Sequence, residues 1–242
     1  MSENYQNYVY NSDGNLIDTF PMHLKKIFLK MTIAMALTAA VAFAGYEILE
    51  AGGFLANIFA NPISMIIIII LQLGIALGFR SALFKATPTT CDVMLYVYAG
   101  ITGVTFSVLP YAYTSETLFT AFLFAAVLFA SCAVIGYTTN VDLTKLRGIL
   151  FAGLIALIVC SIASLFIPAL RDNLLISYIG LVIFLCYTAY DIQMIKNNYE
   201  QFKYNPAIAE KFSSFGAFEL YLDFINLFIR ILQILASSRS RK

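Results

Sequence analysis

The chain has 242 residues, of which 60% are hydrophobic and 12% are charged, and its mean hydropathy is +0.81. A soluble chain of this length needs far more polar surface, so the composition excludes a soluble globular domain and indicates an integral membrane protein. The net charge of +1 gives no reason to expect a nucleic-acid partner.

Apolar runs divide the chain into predicted membrane spans. Residues 1–22 contain no run long enough to bury, and we expect a mobile cytoplasmic tail there. Residues 23–236 then form one membrane domain, and residues 237–242 form a short basic tail. Because a helix needs about 20 apolar residues to cross a bilayer, we predict an all-α fold with a loop at 197–216. The seven predicted spans are 27–49, 62–79, 93–113, 117–137, 146–167, 174–195 and 217–235.

Lysine and arginine residues are concentrated in alternate loops, which predicts the orientation of the chain. One side has ten of these residues, and the other has only Arg171 before the C-terminus. We therefore predict a cytoplasmic N-terminus. Seven spans would put the basic C-terminal tail outside, against the rule, so a last segment that enters the membrane and returns, leaving six spans, is the alternative. The ten residues are Lys25, Lys26, Lys30, Arg80, Lys85, Lys145, Arg147, Lys196, Lys203 and Lys211.

The segment 217–235 is apolar enough to cross a bilayer and yet contains five polar residues. Steps of four and three along the chain put all five on one stripe of a helix, roughly 80° wide. A charge near the centre of a bilayer costs at least about 2.5 kcal/mol, so the stripe must face protein or water. We interpret this segment as the axis of the bundle, with a polar stripe that lines a pore or modulates it. The stripe is formed by Glu219, Asp223, Asn226, Arg230 and Gln233.

A second deep carboxylate, Asp191, lies near the end of the sixth span. If the sixth and seventh helices are antiparallel, Asp191 and Asp223 lie at similar depths and can approach each other. Two carboxylates in a low dielectric cannot both ionise cheaply, so the pair would hold one proton and act as a pH sensor. An arginine beside the pair would form a latch that protonation weakens, and Arg80 and Arg230 are both candidates. Carboxylate oxygens that face water also suit calcium.

Other interpretations of the polar residues compete with this one. Intramembrane aspartate and arginine can form a structural ion pair that only holds helices in register. The single histidine, His23, precedes the first span, so we expect neither a zinc site nor a histidine-based triad. The sequence has no G-x-S-x-G, H-E-x-x-H or phosphate loop. We predict that the protein is not an enzyme and has no cofactor.

Four cysteines, which we expect to be small buried hydrophobic residues, lack C-x-x-C spacing: Cys91, Cys132, Cys160 and Cys186.

Four stretches resemble segments of the Bax inhibitor-1 family, also called the transmembrane Bax inhibitor motif family. Two of them contain the aspartates: ELYLDFINLFIRIL at 219–232 and YTAYDIQMIK at 187–196. The other two are YAGITGVTFS at 98–107 and GYTTNVDLTKLRGILF at 136–151. The likeness extends over nearly everything from Lys25 onward, and the short loops are similar to those of bacterial members.

The resemblance implies a fold and a function. The implied fold has seven transmembrane helices, with the last one central between two three-helix layers. The implied function is a pH-sensitive calcium leak across the bacterial plasma membrane, in which Asp191 and Asp223 are the sensor pair. By its position, Arg80 resembles the arginine that latches this pair.

The sequence also departs from the family pattern. Bacterial relatives tend to have a glutamate linked to ion passage in the second helix, where Gln72 is the nearest polar residue of this chain. Many relatives have a small residue at the position of Glu219 and an arginine near Gln233, whereas here the arginine is Arg230, one turn earlier. Glu219 could add a third carboxylate to the sensor, and Arg230 could neutralise it.

Two main hypotheses follow for the function. The first is a passive, proton-regulated cation leak whose partners are the lipid bilayer, calcium and protons. The alternative is a non-conducting regulatory membrane protein that binds a membrane protease or stress-response machinery, because no ligand cage is evident beyond the aspartates. A secondary transporter ranks third, since no matching pair of broken helices is evident in the two halves.

Overall fold

A computed structural model describes residues 9–10, 16–17, 19–167 and 173–239, and most of these residues are helical. Before the first helix, two strands of two residues each pair antiparallel. The mobile tail predicted at 1–22 lies mostly outside the described residues, although its last three residues already belong to the first helix. The strands are β1 (Val9–Tyr10) and β2 (Leu16–Ile17).

The described residues form nine α-helices. A short 3-10 turn, Leu143–Leu146, precedes the seventh helix. The helices are α1 (Phe20–Glu50), α2 (Phe54–Ala60), α3 (Pro62–Lys85), α4 (Pro88–Phe106), α5 (Leu109–Ala112), α6 (Ser115–Thr138), α7 (Arg147–Phe166), α8 (Leu174–Phe202) and α9 (Pro206–Arg239).

Three helices begin with the same local pattern, a capping side chain followed by proline. The asparagine or threonine oxygen accepts a hydrogen bond from a backbone N–H of the first turn. The proline next to it lacks an N–H and already has a helical φ, so it costs nothing at this position. These pairs are Asn61 with Pro62, Thr87 with Pro88, and Asn205 with Pro206.

Seven helical segments of the described chain are long and apolar enough to cross a membrane, which confirms the predicted class and number of spans. The six-span alternative is wrong, because a re-entrant segment must reverse direction and α9 continues without a break to Arg239. The predicted loop at 197–216 is also wrong. There α8 continues to Phe202 and α9 begins at Pro206, so the two helices extend past their apolar parts. An ion pair of 2.6 Å between Lys203 Nζ and Glu200 Oε2 stabilises the end of α8.

The chain divides into two compact units. Helices α8 and α9 each contribute residues to both units. The first unit contains residues 1–109 and 195–218, and therefore α1 to α4 with the adjoining ends of α8 and α9. The second contains residues 110–194 and 219–242, and therefore α6, α7 and the remainder of α8 and α9. The predicted placement of the last helix between two layers stays a prediction.

In the first unit, α1 packs along α4 at a glycine. A Cβ added at Gly103 would lie 2.6 Å from Val41 Cβ and 2.8 Å from the Thr38 carbonyl oxygen, so only glycine permits this approach. The buried Thr38 hydroxyl donates to the Ala99 carbonyl at 3.0 Å. Close backbone approach at small residues is the usual way in which helices associate within membranes.

In the second unit, α6 packs against α8 at another glycine. A Cβ added at Gly136 would lie 2.9 Å from Ala189 Cα, so α6 contacts the backbone of α8 directly. Just beyond that contact, Gln193 ties the connection between α6 and α7 to α8. Its Oε1 accepts from the Leu143 N–H at 2.8 Å, and its Nε2 donates to the Val141 carbonyl at 2.8 Å.

The outer surfaces of the spans are apolar. A run of isoleucines in α3 shows this most clearly, because Ile66, Ile67, Ile69 and Ile70 are all exposed. Exposed apolar surface of this extent is compatible with lipid rather than with water. In contrast, a larger share of α9 is buried than of any other span.

Candidate functional site

The polar stripe on α9 avoids the exposed surface. Asp223 is only 4% exposed, and the other members of the stripe are half-buried. This arrangement follows from the cost of charged groups in lipid, which forces such side chains toward protein. The half-buried members are Glu219, Asn226, Arg230 and Gln233.

The second unit brings the two predicted aspartates together. Asp191 on α8 is 6% exposed and is a hydrogen-bonding neighbour of the Asp223 carboxyl on α9. The Oδ2 atom of Asp223 is buried and has no hydrogen-bond partner among the described residues. A buried carboxylate pair with one unsatisfied oxygen is a place where a proton or a cation can be taken up.

Within the second unit, acidic and phenolic side chains lie close to Asp223. Glu219, one turn before Asp223 on α9, is the second charged neighbour of that aspartate. Tyr187 lies on the same face of α8 as Asp191. It is close enough to interact electrostatically with the carboxylates of Asp191, Asp223 and Glu219. The site therefore combines three acids with one neutral phenol, and proton binding is its simplest way to lose charge.

A threonine that the sequence analysis did not single out completes the site. Thr188 lies one turn before Asp191 and next to the Asp223 carboxyl. Its hydroxyl donates to the Phe184 carbonyl at 2.9 Å. A hydroxyl has one proton to donate, so the Phe184 carbonyl and the Asp223 carboxylate compete for it.

The backbone around Asp191 is held on both sides. Ala189, two residues before it, contacts Gly136 of α6, and Gln193, two residues after it, holds the connection between α6 and α7. These contacts fix the part of α8 that carries Asp191 against α6 and the connection that follows it. Asp191 therefore lies on a closely packed part of α8, which suits a functional site.

The two candidate latch arginines have different surroundings. Arg80 lies near the end of α3 in the first unit, where its side chain is exposed and forms no ion pair with the described carboxylates of that unit. Arg230 lies in the second unit and donates from Nη1 to Gln233 Oε1 at 3.2 Å. It forms no ion pair with the described carboxylates of its unit, Asp223 included. Which arginine acts as a latch stays a prediction.

The remaining predicted polar residues are satisfied locally. Asn226 donates from Nδ2 to the Leu222 carbonyl of its own helix at 2.8 Å. In the first unit, the half-buried Gln72 donates from Nε2 to Thr102 Oγ1 at 3.2 Å. Both amides are thereby oriented by backbone or hydroxyl groups.

The described residues contain no cluster of three or more His, Cys, Asp or Glu side chains arranged to hold a metal ion. The carboxylates of Asp191, Asp223 and Glu219 are thus neighbours that do not close into a cage. Calcium at Asp191 and Asp223 stays a prediction.

A polar network that the sequence analysis missed occupies the first unit. Lys30 Nζ of α1 lies 2.8 Å from Asp92 Oδ1 of α4 and 2.6 Å from Glu210 Oε1 of α9. Ser214 Oγ donates to the same Asp92 oxygen at 2.6 Å. One lysine therefore joins three helices. In the sequence, the signal for this network was Lys30 itself, a cation three residues inside the first predicted apolar run.

The comparisons with known proteins agree with these features. The family model described as "Inhibitor of apoptosis-promoting Bax1" matches residues 21–240. A protein of Borreliella burgdorferi is 34% identical over 217 residues, which are 90% of this chain and 92% of that protein. The inner membrane protein YbhL of Escherichia coli is 30% identical over 218 residues, again 90% of this chain and 92% of that protein. A membrane protein of Streptococcus pyogenes is 38% identical over 165 residues, 68% of this chain and 71% of that protein. The chain is therefore a multi-pass membrane protein of the Bax inhibitor-1 family.

Proposed function

We propose that this protein is a pH-sensitive cation leak, with calcium as its principal ion, in a bacterial inner membrane. The observation that carries the proposal is the buried Asp191 and Asp223 pair within membrane-spanning helices. Asp191 and Asp223 sense protons, and Arg80 acts as their latch. The N-terminus is cytoplasmic. By the number of spans, the C-terminal end of α8 and the N-terminal end of α9 therefore also face the cytoplasm.

The pH sensitivity follows from the electrostatics of the pair. Asp223 has two charged neighbours in its unit, Asp191 and Glu219, and both are carboxylates. In a low dielectric, each further negative charge opposes ionisation of the next, so the number of bound protons changes with pH in coupled steps. A change in charge at this depth alters how strongly the pair attracts the proposed latch arginine.

The preference for a cation follows from the chemistry of the same groups. Carboxylate oxygens are the ligands that calcium prefers, and the unpartnered Oδ2 of Asp223 is one of them. Conduction requires binding that is strong enough for entry and weak enough for release. At Gln72 the chain has a neutral amide, so we expect a weaker attraction for calcium at that level than a glutamate would provide.

The test is calcium entry into liposomes that contain the purified protein, measured over a range from mildly acidic to mildly alkaline pH. The wild-type protein should pass calcium with a rate that depends on pH. Asp223→Asn and Asp191→Asn should each remove that dependence, because the neutral amide cannot titrate. Asp142→Asn is the matched control, since it changes an exposed aspartate outside the spans and should preserve the wild-type profile.

Equal flux and equal pH dependence with and without both aspartates would overturn the proposal. If the wild-type protein passed no calcium at any pH, the alternative of a non-conducting regulator would gain support. In that case, crosslinking in native membranes should recover a membrane protease or another stable partner.

A further inference from the structure

Arg230 is a charged side chain that forms no ion pair with the aspartate pair. It lies in the membrane-spanning part of α9 and is half-buried. Within the described chain, its Nη1 donates a hydrogen bond to Gln233 Oε1 at 3.2 Å. Arginine has five N–H donors, so most of its hydrogen-bonding capacity is uncommitted within the described chain.

The surroundings of Arg230 hold its side chain in place. A Cβ added at Gly180 of α8 would lie 2.7 Å from Arg230 Nε and 3.0 Å from its Cδ, so the arginine lies directly against the α8 backbone. Ser177 donates to the same Gln233 oxygen at 3.1 Å. Gln233 Oε1 therefore accepts hydrogen bonds from both Arg230 and Ser177. The side-chain amide of Gln233 supplies further N–H donors beside the guanidinium.

Among the described residues of its unit, no carboxylate forms an ion pair with Arg230. Arginine stays protonated in proteins, and a charged group within a membrane is costly unless it has a partner. On the same helix, Asp223 and Glu219 lie seven and eleven positions earlier. These separations are about 10 and about 16 Å along the axis. Both exceed the reach of an ion pair.

We propose that Arg230, assisted by the Gln233 amide, binds a phosphate group that comes from outside the chain. A guanidinium matches phosphate oxygens with two parallel hydrogen bonds, which neutralise its charge and use its free donors. Arg230 is nine residues before the end of α9, and Gly180 is six residues after the start of α8. The site is therefore about two turns from the same membrane edge, within reach of phospholipid headgroups for a long side chain.

Phosphate can come from a lipid headgroup or from solution, and the experiment distinguishes these sources. The full chain is purified in a phosphate-free maltoside detergent, and its thermal unfolding midpoint is measured against three probes. These are dioleoylphosphatidylglycerol, dioleoylglycerol, which has the same acyl chains without phosphate, and inorganic phosphate at constant ionic strength. The wild-type midpoint should rise with phosphatidylglycerol and not with dioleoylglycerol.

The variants locate the effect. Arg230→Gln should weaken the apparent affinity for phosphatidylglycerol by about ten- to hundredfold, the range for loss of a charge-assisted hydrogen bond. Gly180→Ala should weaken it as well, because the new Cβ displaces the guanidinium while the charge is kept. Arg147→Gln is the matched control, since Arg147 is exposed at the start of α7 and should respond like the wild type.

Each outcome decides the proposal. Stabilisation by phosphatidylglycerol alone identifies a lipid headgroup, and equal stabilisation by inorganic phosphate identifies a soluble phosphate. The proposal is overturned if dioleoylglycerol stabilises as well as phosphatidylglycerol, or if Arg230→Gln responds like the wild type. Should Arg230→Gln fail to fold, Gly180→Ala provides the decision, and an unchanged affinity in that variant counts against the site.

Discussion

At the scale of single residues, Asp142 shows how one side chain organises a connection. Its carboxylate accepts hydrogen bonds from the backbone N–H and the hydroxyl of Thr144, at the start of the 3-10 turn before α7. The distribution of lysine and arginine predicts the cytoplasmic side for this connection. These hydrogen bonds hold the pKa of Asp142 below its usual range, because they favour the ionised form.

The sign of the resulting pH effect follows from that lowered pKa. The cap contributes fully above about pH 4, where Asp142 is ionised even in the unfolded chain, and is lost as the pH falls through the folded-state value. We expect the amide hydrogen of Thr144 to exchange faster below that pH, relative to a peptide of the same sequence. Asp142→Asn keeps an acceptor without a titrating group, so an acid-dependent step in this variant would contradict the explanation.

The residues of the candidate site differ in how far the sequence predicts them. Asp191 and Asp223 are evident because a carboxylate inside an apolar run is costly and needs a reason. Thr188 and Gly180 are not evident, because threonine and glycine are ordinary residues of membrane helices. Their roles depend on which turn of the neighbouring helix they face, and that depends on packing. Arg230 was evident as a charge, but its lack of an ion pair within the described unit was not.

At the scale of elements, the Lys30 network joins α1, α4 and α9 within the first unit. The Lys30 side chain is 14% exposed, and it compensates the charges of Asp92 and Glu210. Lys30→Met should lower the free energy of unfolding by about 1–3 kcal/mol, because two partly buried carboxylates lose their counter-ion. Thermal or denaturant unfolding in detergent measures the change.

Two further variants test the cause of that loss. Asp92→Asn in the Lys30→Met background should recover part of the stability, because it removes one of the uncompensated charges. Lys203→Met breaks a single, more exposed ion pair with Glu200 at the end of α8 and should change the unfolding midpoint far less. If the two lysine variants behaved alike, the network would have no special role.

The contact between α6 and α8 gives a second prediction at this scale. In Gly136→Ala the new Cβ would collide with the backbone of Ala189, which cannot move as a flexible side chain can. We expect a loss of about 1–3 kcal/mol in the free energy of unfolding. Gly100→Ala in α4 is the control, because no heavy atom lies within 4 Å of its added Cβ. Alanine is a better helix former than glycine, so helix propensity alone would stabilise both variants, and an equal loss in both would contradict the explanation by this contact.

At the scale of the whole molecule, the number of spans was predictable and their ends were not. Hydropathy summed over about 20 residues is a strong signal, because every exposed backbone group in lipid must be satisfied within a helix. The ends depend on caps and on amphipathic extensions that add little hydropathy. For this reason α4 begins at Pro88 rather than at residue 93, and α8 and α9 continue into the segment predicted as a loop.

The same limits apply to the orientation and to the function of the molecule. The distribution of lysine and arginine predicts a cytoplasmic N-terminus, and the family predicts an ion leak. Neither follows from the positions of the helices alone. The carboxylate pair, in contrast, was predicted from the depths of two aspartates and lies within one compact unit.

The exposed isoleucines of α3 have a consequence for how the protein is made. From Ile63 to Phe79 the chain contains no charge, and it includes five consecutive β-branched residues at 66–70. In water, such a segment favours extended strands that pair with other copies, and no gatekeeper charge interrupts it. The bilayer suppresses this by imposing a helix on the segment. We expect α3 to depend on insertion into the membrane as it leaves the ribosome, before two newly made chains can meet in the cytosol.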